Sequence, residues 1–148
     1  MRPSTVSLSA VIQSVLFRLN GHIRECGASI QCGELPEVTV DERQLAQVFE
    51  QLVRNALAYR SAEPPKIAIS AEEGDDSWTI SVRDNGKGIE PRFHEQVFQP
   101  FKRLHGKDVA GPGLGLAVSR KIVAAQGGRI WVESDGAHGS TFKFTIPF

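Results

Sequence analysis

The sequence lacks the features that mark several large classes of protein. Its 148 residues include only two cysteines, Cys26 and Cys32, which are too few for a disulfide scaffold. They also lack the second pair of ligands that a zinc site of this kind needs. No run of about 18 apolar residues occurs, so we expect no membrane-spanning helix. The N-terminus has no basic segment leading into an apolar block, as a secretory signal has. We therefore expect a cytoplasmic protein without membrane insertion.

An excess of charge of either sign is also absent. Lys and Arg number 17, and so do Asp and Glu, which gives a formal net charge of zero. A nucleic-acid coat or a polybasic membrane-surface protein needs a basic excess, so we expect no nucleic-acid partner. Hydrophobic residues make up 41% of the chain, which is enough for a globular core. With no internal repeat, residues 1–148 are expected to form a single domain.

Hydrophobic periodicity predicts three helices and a set of strands. Apolar positions follow helical offsets over residues 8–23, 45–56 and 113–126. Asp41 with Gln44 is typical of a capping box before the second helix. Short extended or alternating segments predict strands at 28–32, 38–40, 66–71, 78–82, 129–134 and 140–147. Helices and hairpins are mixed along the chain, which favours an α+β fold with helices on one face of a mixed sheet.

Residues 84–89 (DNGKGI) form the first candidate site. Asp84 ends a predicted strand, and a turn with two glycines follows it. Glycine lets a backbone approach a ligand without a clash at Cβ, and a carboxylate there can accept a hydrogen bond from a purine amino group. Asn-Gly is also a hairpin signal. The residues after Ile89 do not alternate as a second strand would, and the alternative stays open at this point.

Two further segments are candidates for binding phosphate and metal. Residues 111–116 (GPGLGL) lie where an irregular loop meets a helix, and exposed N–H groups at a helix N-terminus attract anions. They match neither a Rossmann nor a Walker pattern, and a flexible hinge is the alternative. Asn55 shares a helical stripe with Gln51 and Tyr59. It is a neutral oxygen ligand suited to Mg²⁺, or simply a solvated side chain.

Taken together, these segments resemble the ATP-binding catalytic domain of sensor histidine kinases, in the superfamily shared with gyrase, Hsp90 and MutL. The resemblance covers about residues 5–148 and rests on five segments in order: 47–59 (asparagine box), 84–89 (first glycine box), 98–101 (phenylalanine box), 111–116 (second glycine box) and 139–142 (GSTF, a closing strand). Two stretches, FKRLHG and GGRIWVES, are most similar to phytochrome-type kinases. The resemblance implies a two-layer, Bergerat-type sandwich whose mostly antiparallel sheet is covered on one face by three helices.

The resemblance also implies roles for individual residues. Asp84 would accept from the adenine amino group, helped by Thr141 through a water, and Asn55 would bind the Mg²⁺ of Mg·ATP. The adenine slot, the lid and its base would be formed by Gly86, Gly88, Ile89, Tyr59, Gly111, Gly113, Leu114, Gly115, Phe98 and Phe101. Lys102 and Arg103 are possible contacts of the γ-phosphate.

Three positions depart from the family pattern. Ala58 stands where many members carry Lys, and Arg54, Arg60 and Arg103 are the candidates to compensate for the missing charge. Pro112 removes an N–H donor from the lid and stiffens it. Gln51 falls where ATP-hydrolysing relatives place a water-activating Glu. Without that general base, the sequence favours phosphotransfer over hydrolysis.

None of the four histidines matches the phosphoacceptor context of these kinases: His22, His94, His105 and His138. The resemblance therefore implies that the chain is the ATP-binding half of a kinase. It would phosphorylate a histidine on a partner dimerisation domain, with a response regulator downstream. The alternatives are an anti-sigma-type protein-serine kinase with the same pocket, or a degenerate, non-catalytic nucleotide-binding module, which Ala58 and Pro112 favour.

Overall fold

A computed structural model of the chain describes residues 3–58, 61–99 and 113–148, with 113–115 described by their backbone alone. The helices are α1 (Leu8–Arg18), α2 (Asn20–Cys26), α3 (Glu42–Ala58) and α4 (Gly113–Ala125). The strands are β1 (Ser4–Ser7), β2 (Ser29–Cys32), β3 (Glu37–Val40), β4 (Lys66–Glu73), β5 (Ser77–Asp84), β6 (Ile130–Glu133) and β7 (Ser140–Pro147). Among the described helices, none combines the length and the apolar character that crossing a bilayer requires.

Five strands form the main sheet, in the order β2-β4-β5-β7-β6. β2 runs parallel to β4, and the other three pairs are antiparallel. This confirms the predicted mixed, mostly antiparallel sheet. The long central strands β5 and β7 pair over their full length, from Ser77 opposite Pro147 to Asp84 opposite Ser140. The ends of these two strands are therefore level with each other.

The core lies between one face of this sheet and the helices. β7 alternates strictly, with Phe142, Phe144 and Ile146 buried and the residues between them only half-buried. Phe144 meets Phe49 of α3 edge to face, with ring centroids 5.5 Å apart. α3 also packs against α1, α4 and β5, so it is the central helix of the second layer. The apolar face of β7, which repeats every two residues, thus packs on the apolar face of α3, which repeats every 3.6 residues.

The start of α3 forms as its sequence predicts, with one difference. The Asp41 carboxylate accepts a hydrogen bond from the Gln44 backbone N–H (3.1 Å), which satisfies one of the free donors of the first turn. The Gln44 side chain, however, accepts from the side-chain amide of Gln126 (3.4 Å). It therefore ties the start of α3 to the segment that follows α4.

Three local features of the structure differ from what the sequence predicts. β1 was not predicted, because four residues carry no clear period and this strand depends on antiparallel pairing with β3. The predicted helix over 8–23 is interrupted at Leu19, and α2 continues to Cys26. The hairpin alternative for residues 84–89 is wrong. Two short 3₁₀ turns, Pro91–Phe93 and Gln96–Phe98, follow instead of a strand.

Candidate functional site

The candidate site is built at the carboxyl end of β5, where Asp84 is the last residue of the strand. Next to it, the Asn85 side chain accepts from the Lys66 N–H (2.8 Å) and donates to the Pro64 carbonyl (3.2 Å). These bonds hold the connection from α3 to β4 against the end of β5. The described part of this connection, residues 61–65, therefore lies at the same end of the sheet as Asp84.

Asp84 lies on the helix-covered face of β5, two residues beyond the buried Val82. Its Oδ1 accepts from the Gly86 N–H (2.8 Å) and the Ser140 N–H (3.3 Å). Burial raises the pKa of Asp84 to about 6, although both backbone donors act in the opposite direction. The carboxyl group is therefore mainly ionised at neutral pH. In that form it can accept a hydrogen bond from an amino group of a ligand.

The glycine turn after Asp84 packs directly on the turn between β6 and β7. Gly88 has a φ of +80°, and a Cβ there would lie 2.8 Å from the Ala137 nitrogen. Gly139 has a φ of +79°, and a Cβ there would overlap the carbonyl oxygen of Asp84. Because glycine has no side chain, the protein's own backbone can pack closely against these two positions. That Gly86, Gly88 and Ile89 shape a slot for adenine stays a prediction.

The strand register separates Ser140 from Thr141. Ser140 is opposite Asp84, is 6% exposed, and donates its N–H to that carboxylate. Thr141 is opposite Arg83 on one side and Glu133 on the other, on the face of β7 that points away from the helices. The role expected of Thr141 beside Asp84 is therefore better suited to Ser140. A count back by two along the strand from Phe142, on its apolar face, identifies Ser140 from the sequence.

The helical half of the site contains buried oxygens for which the described residues offer no hydrogen-bond partner. Asn55 is only 3% exposed, and its Oδ1 has no hydrogen-bond partner among the described residues. Two other buried oxygens also have no hydrogen-bond partner among the described residues. They are Gln51 Oε1, one turn earlier on α3, and Ser119 Oγ on α4, a helix that packs against α3. Leaving a buried acceptor unpaired costs about 1–3 kcal/mol, so such groups are expected to have a partner, such as a water molecule, an ion or a ligand. The burial of Asn55 excludes the alternative that its side chain is simply solvated. Its amide oxygen fits a neutral ligand of Mg²⁺.

Phe98 anchors the irregular segment between β5 and α4 in the core. It is 4% exposed and meets Phe142 edge to face at 6.0 Å, with the Arg120 guanidinium 5.8 Å above its ring. Earlier in the segment, Ile89 is buried and its carbonyl oxygen lies 2.7 Å from His94 Nε2. The stretch that precedes residue 100 is thus attached at two points. The placement of Phe98 fits the anchoring role expected of it.

Several predicted site residues lie outside the described part of the chain: Tyr59, Phe101, Lys102, Arg103 and Gly111. Gly113, Leu114 and Gly115 form the first turn of α4, as the sequence predicts for this glycine box. Arg54, one of the charges considered as a replacement for Lys at Ala58, forms an ion pair with Glu50 (3.0 Å). Within residues 3–58, 61–99 and 116–148, no cluster of three His, Cys, Asp or Glu could hold a metal.

Comparisons with known proteins agree with this arrangement. Cyanobacterial phytochrome A of Nostoc sp. is 47% identical over 137 residues, which is 92% of this chain but 18% of the phytochrome. Full-length ShkA in complex with AMPPNP superposes with a TM-score of 0.85 at 27% identity, over 99% of this chain and 31% of ShkA. The histidine kinase ThkA in complex with the response regulator TrrA has a TM-score of 0.80 at 29% identity, over 98% of this chain and 41% of ThkA.

The family model that matches the sequence spans residues 40–148, from the last residue of β3 to the C-terminus. It therefore includes Gln51 and Asn55 on α3, the turn after Asp84, and the whole of β7. The chain spans less than one fifth of the phytochrome that it matches, so the similarity concerns only part of that relative. On this match, the chain belongs to the histidine kinase-, DNA gyrase B- and HSP90-like ATPase family.

Proposed function

We propose that this domain binds Mg·ATP and donates the γ-phosphate to a histidine on a dimerisation domain, within a two-component signalling pathway. The proposal rests on two buried polar groups, one at the end of β5 and the other in the last turn of α3. Asp84 is a buried, ionisable acceptor held by two backbone amides. Asn55 is a buried amide whose oxygen has no partner among the described residues. The first group suits a purine amino donor, and the second suits a cation.

Recognition of adenine would depend on the charge of Asp84. Its Oδ1 already accepts from Gly86 and Ser140, and a carboxylate offers about four acceptor sites, so capacity remains for a ligand. An amino group on the ligand would donate to the carboxylate in a partly desolvated position, where such a bond is strong. A ligand with a carbonyl at this position would present a second acceptor to the carboxylate and be rejected.

Magnesium fits the residues present at the helical half. Asn55 would be its protein ligand, and ATP phosphates and water would supply the other oxygen ligands. Bound there, Mg²⁺ would neutralise phosphate charge during transfer. The chain's own part is to hold the amide oxygen in place, which the burial of Asn55 on α3 achieves.

The residue one turn before Asn55 favours transfer over hydrolysis. Gln51 carries an amide, which cannot take a proton from water as a carboxylate would. Phosphotransfer depends on positioning and charge neutralisation, so it needs no such base in this domain. The test is Gln51→Glu, which we expect to raise steady-state ATP hydrolysis at least tenfold. If the carboxylate leaves hydrolysis unchanged, position 51 does not face the attacking water.

The acceptor histidine would come from another domain. Among the described histidines, His94 contacts the Ile89 carbonyl, and His138 is paired with Asp135 (2.7 Å) in the turn between β6 and β7. Neither is presented on a helical hairpin, and His22 lies on the seven-residue helix α2. The longer relatives and the structure of ThkA with a response regulator support a partner domain and a regulator downstream.

Calorimetric titration with Mg·ATP tests the binding step directly. Submillimolar affinity is expected, and its absence up to millimolar nucleotide would contradict both the histidine-kinase and the serine-kinase interpretation. Transfer is then measured with radiolabelled γ-phosphate and a histidine-bearing dimerisation domain from a phytochrome-type kinase. Acid-labile label on that domain supports histidine transfer, whereas acid-stable label on a protein serine would favour the anti-sigma-type alternative.

A degenerate module is the candidate that Ala58 and Arg54 favour. Ala58 supplies no charge, and the Arg54 guanidinium is engaged by Glu50, which also lies 3.8 Å from Arg18. Nucleotide binding without any transfer to the dimerisation domain would identify this case. Glu50→Gln would release Arg54, and a gain of ATP affinity in that variant would show that Arg54 can serve as the missing cation.

A further inference from the structure

Ser134 is the first residue after β6 and was not among the predicted site residues. We propose that it is a positioning residue, which holds the glycine turn 84–89 in the conformation that binds nucleotide. The proposal rests on the proposed function, because its effect on affinity presupposes that this turn contacts adenine. The hydroxyl of Ser134 joins segments that are 45 residues apart in the sequence.

Three hydrogen bonds converge on the Ser134 hydroxyl. Its Oγ accepts from the Ile89 N–H (2.9 Å) and from the Gly136 N–H (3.2 Å). It donates to the Gly139 carbonyl (2.7 Å). A hydroxyl has one proton and two lone pairs, so its capacity is fully used. Because both amides can only donate, the single proton must point to Gly139, and the orientation of the hydroxyl is determined.

These bonds fix the far end of the glycine turn. At its near end, the Gly86 N–H donates to the Asp84 carboxylate. At its far end, the Ile89 N–H donates to Ser134. Through Gly139, the same hydroxyl also holds the segment whose backbone packs against the Asp84 carbonyl. Ser134 therefore connects the two turns that border the Asp84 side chain.

The hydrogen bonds of the neighbouring Asp135 offer a comparison, because they are local. Its Oδ1 accepts from the N–H groups of Ala137 (2.8 Å) and His138 (2.9 Å), and its Oδ2 pairs with the His138 ring. All these partners lie within the same exposed turn. The bonds of Ser134, in contrast, reach across to Ile89. Only Ser134 is expected to transmit a change to the glycine turn.

The test compares Ser134→Ala with Ser134→Thr, which keeps a hydroxyl. The control is Ser77→Ala, which removes a hydroxyl that donates to Asp76 (3.1 Å) next to the remote turn between β4 and β5. The first readout is amide hydrogen exchange of Ile89 in the nucleotide-free domain. We expect exchange to be about tenfold faster in Ser134→Ala, near the wild-type rate in Ser134→Thr, and unchanged in Ser77→Ala.

The second readout is the dissociation constant for Mg·ATP by calorimetry. Loss of the bond to Ile89 should weaken binding about tenfold in Ser134→Ala, with recovery in Ser134→Thr. Transfer at saturating ATP should change less than twofold, because the chemistry lies at the phosphates, away from this turn. Should the alanine variant not fold, Ser134→Cys gives the same comparison, since its sulfur is only a weak hydrogen-bonding group.

Unchanged Ile89 exchange in Ser134→Ala would overturn the proposal, and so would faster exchange with unaltered affinity for Mg·ATP. An equal loss of affinity in Ser77→Ala would overturn it as well, because the effect would then be general destabilisation. If the wild-type domain binds no Mg·ATP, the proposed function fails and the claimed effect on affinity fails with it. Ile89 exchange would still decide whether Ser134 holds the turn.

Discussion

The two halves of the candidate site differ in how their polar groups are satisfied. In the turn half, the Asp84 carboxylate and the Ser134 hydroxyl are bonded to backbone groups of the protein. In the helical half, the oxygens of Gln51 and Asn55 are buried without a partner among the described residues. The two halves therefore differ in whether described residues of the protein supply their hydrogen-bond partners. One half is organised by the protein's own hydrogen bonds, and we propose that the other half supplies acceptors to a ligand.

The two halves also differ in charge. Burial disfavours the ionised form of Asp84, which is visible in its raised pKa, whereas the amide of Asn55 is neutral at every pH. Retaining a carboxylate in a partly buried position costs stability, so removing its charge should stabilise the fold while removing the proposed binding. The predictions below test this contrast, from the largest expected effect to the smallest.

The largest effect is expected for Gly139→Ala, which acts on the organised half. The new Cβ would overlap the Asp84 carbonyl oxygen, and a φ of +79° strains any residue with a side chain. We expect a loss of about 3 kcal/mol or more in the free energy of unfolding, measured by urea denaturation. The matched control is Gly21→Ala on α2, where a Cβ meets nothing within 4 Å. It should stabilise the domain by about 0.5–1 kcal/mol. Equal effects in the two variants would contradict the close packing of the turns.

Asp84→Asn should reduce ATP affinity by at least about a hundredfold. The amide can present an N–H donor to the amino group of adenine, and it lacks the negative charge that strengthens the bond. Calorimetry with Mg·ATP measures the loss. Asp76→Asn, in the remote turn between β4 and β5, is the control. Normal ATP binding in Asp84→Asn would show that the pocket has been assigned to the wrong residues.

The stability of Asp84→Asn should depend on pH in a defined direction. The folded pKa of Asp84 is about 6, above its ordinary value of 3.8, so its contribution to stability is fully present below pH 3.8 and is lost as the pH rises through 6. Relative to wild type, the variant should gain up to about 3 kcal/mol between pH 4 and pH 7. Urea denaturation at the two pH values measures this gain. A constant difference between variant and wild type would contradict the raised pKa.

Asn55→Ala tests the helical half of the candidate site. We expect Mg·ATP binding to weaken about tenfold, while ATP binding without Mg²⁺ changes little. The free energy of unfolding should shift by less than about 1 kcal/mol, because the oxygen that is removed has no protein partner among the described residues. Calorimetry with and without Mg²⁺ separates the two effects. Equal losses in both conditions would exclude a role in metal binding.

Much of the fold follows from local patterns. The alternation in β7 predicts its limits at Ser140 and Pro147, and the apolar stripe after Asp41 predicts α3. β1 was missed because a four-residue strand depends on its partner, which lies more than 30 residues later in the chain. The helix over 8–23 was predicted as one element because its apolar stripe continues across Leu19, although Asn20-Gly21 already marked a loose boundary there.

The site was predictable in its residue types but not in its bonding. Asp84 and Asn55 are identified by their boxes, and the structure shows that Asn55 is buried and that Asp84 is partly buried. Ser140 was passed over for its neighbour Thr141, although the two-residue period of β7 was already visible. Ser134 gave no sequence signal, because its importance rests on contacts with Ile89 and Gly139.

The sequence by itself determined the order of the longer elements, the apolar faces and the chemical types available for a site, because periodicity and turn chemistry act over a few residues. Only the tertiary structure decided which of those polar groups are satisfied internally and which have no partner among the described residues. That distinction depends on contacts between distant segments, such as Asp84 with Ser140 and Ile89 with Ser134. Contacts of this kind form only when the sheet and the turns at its end have assembled.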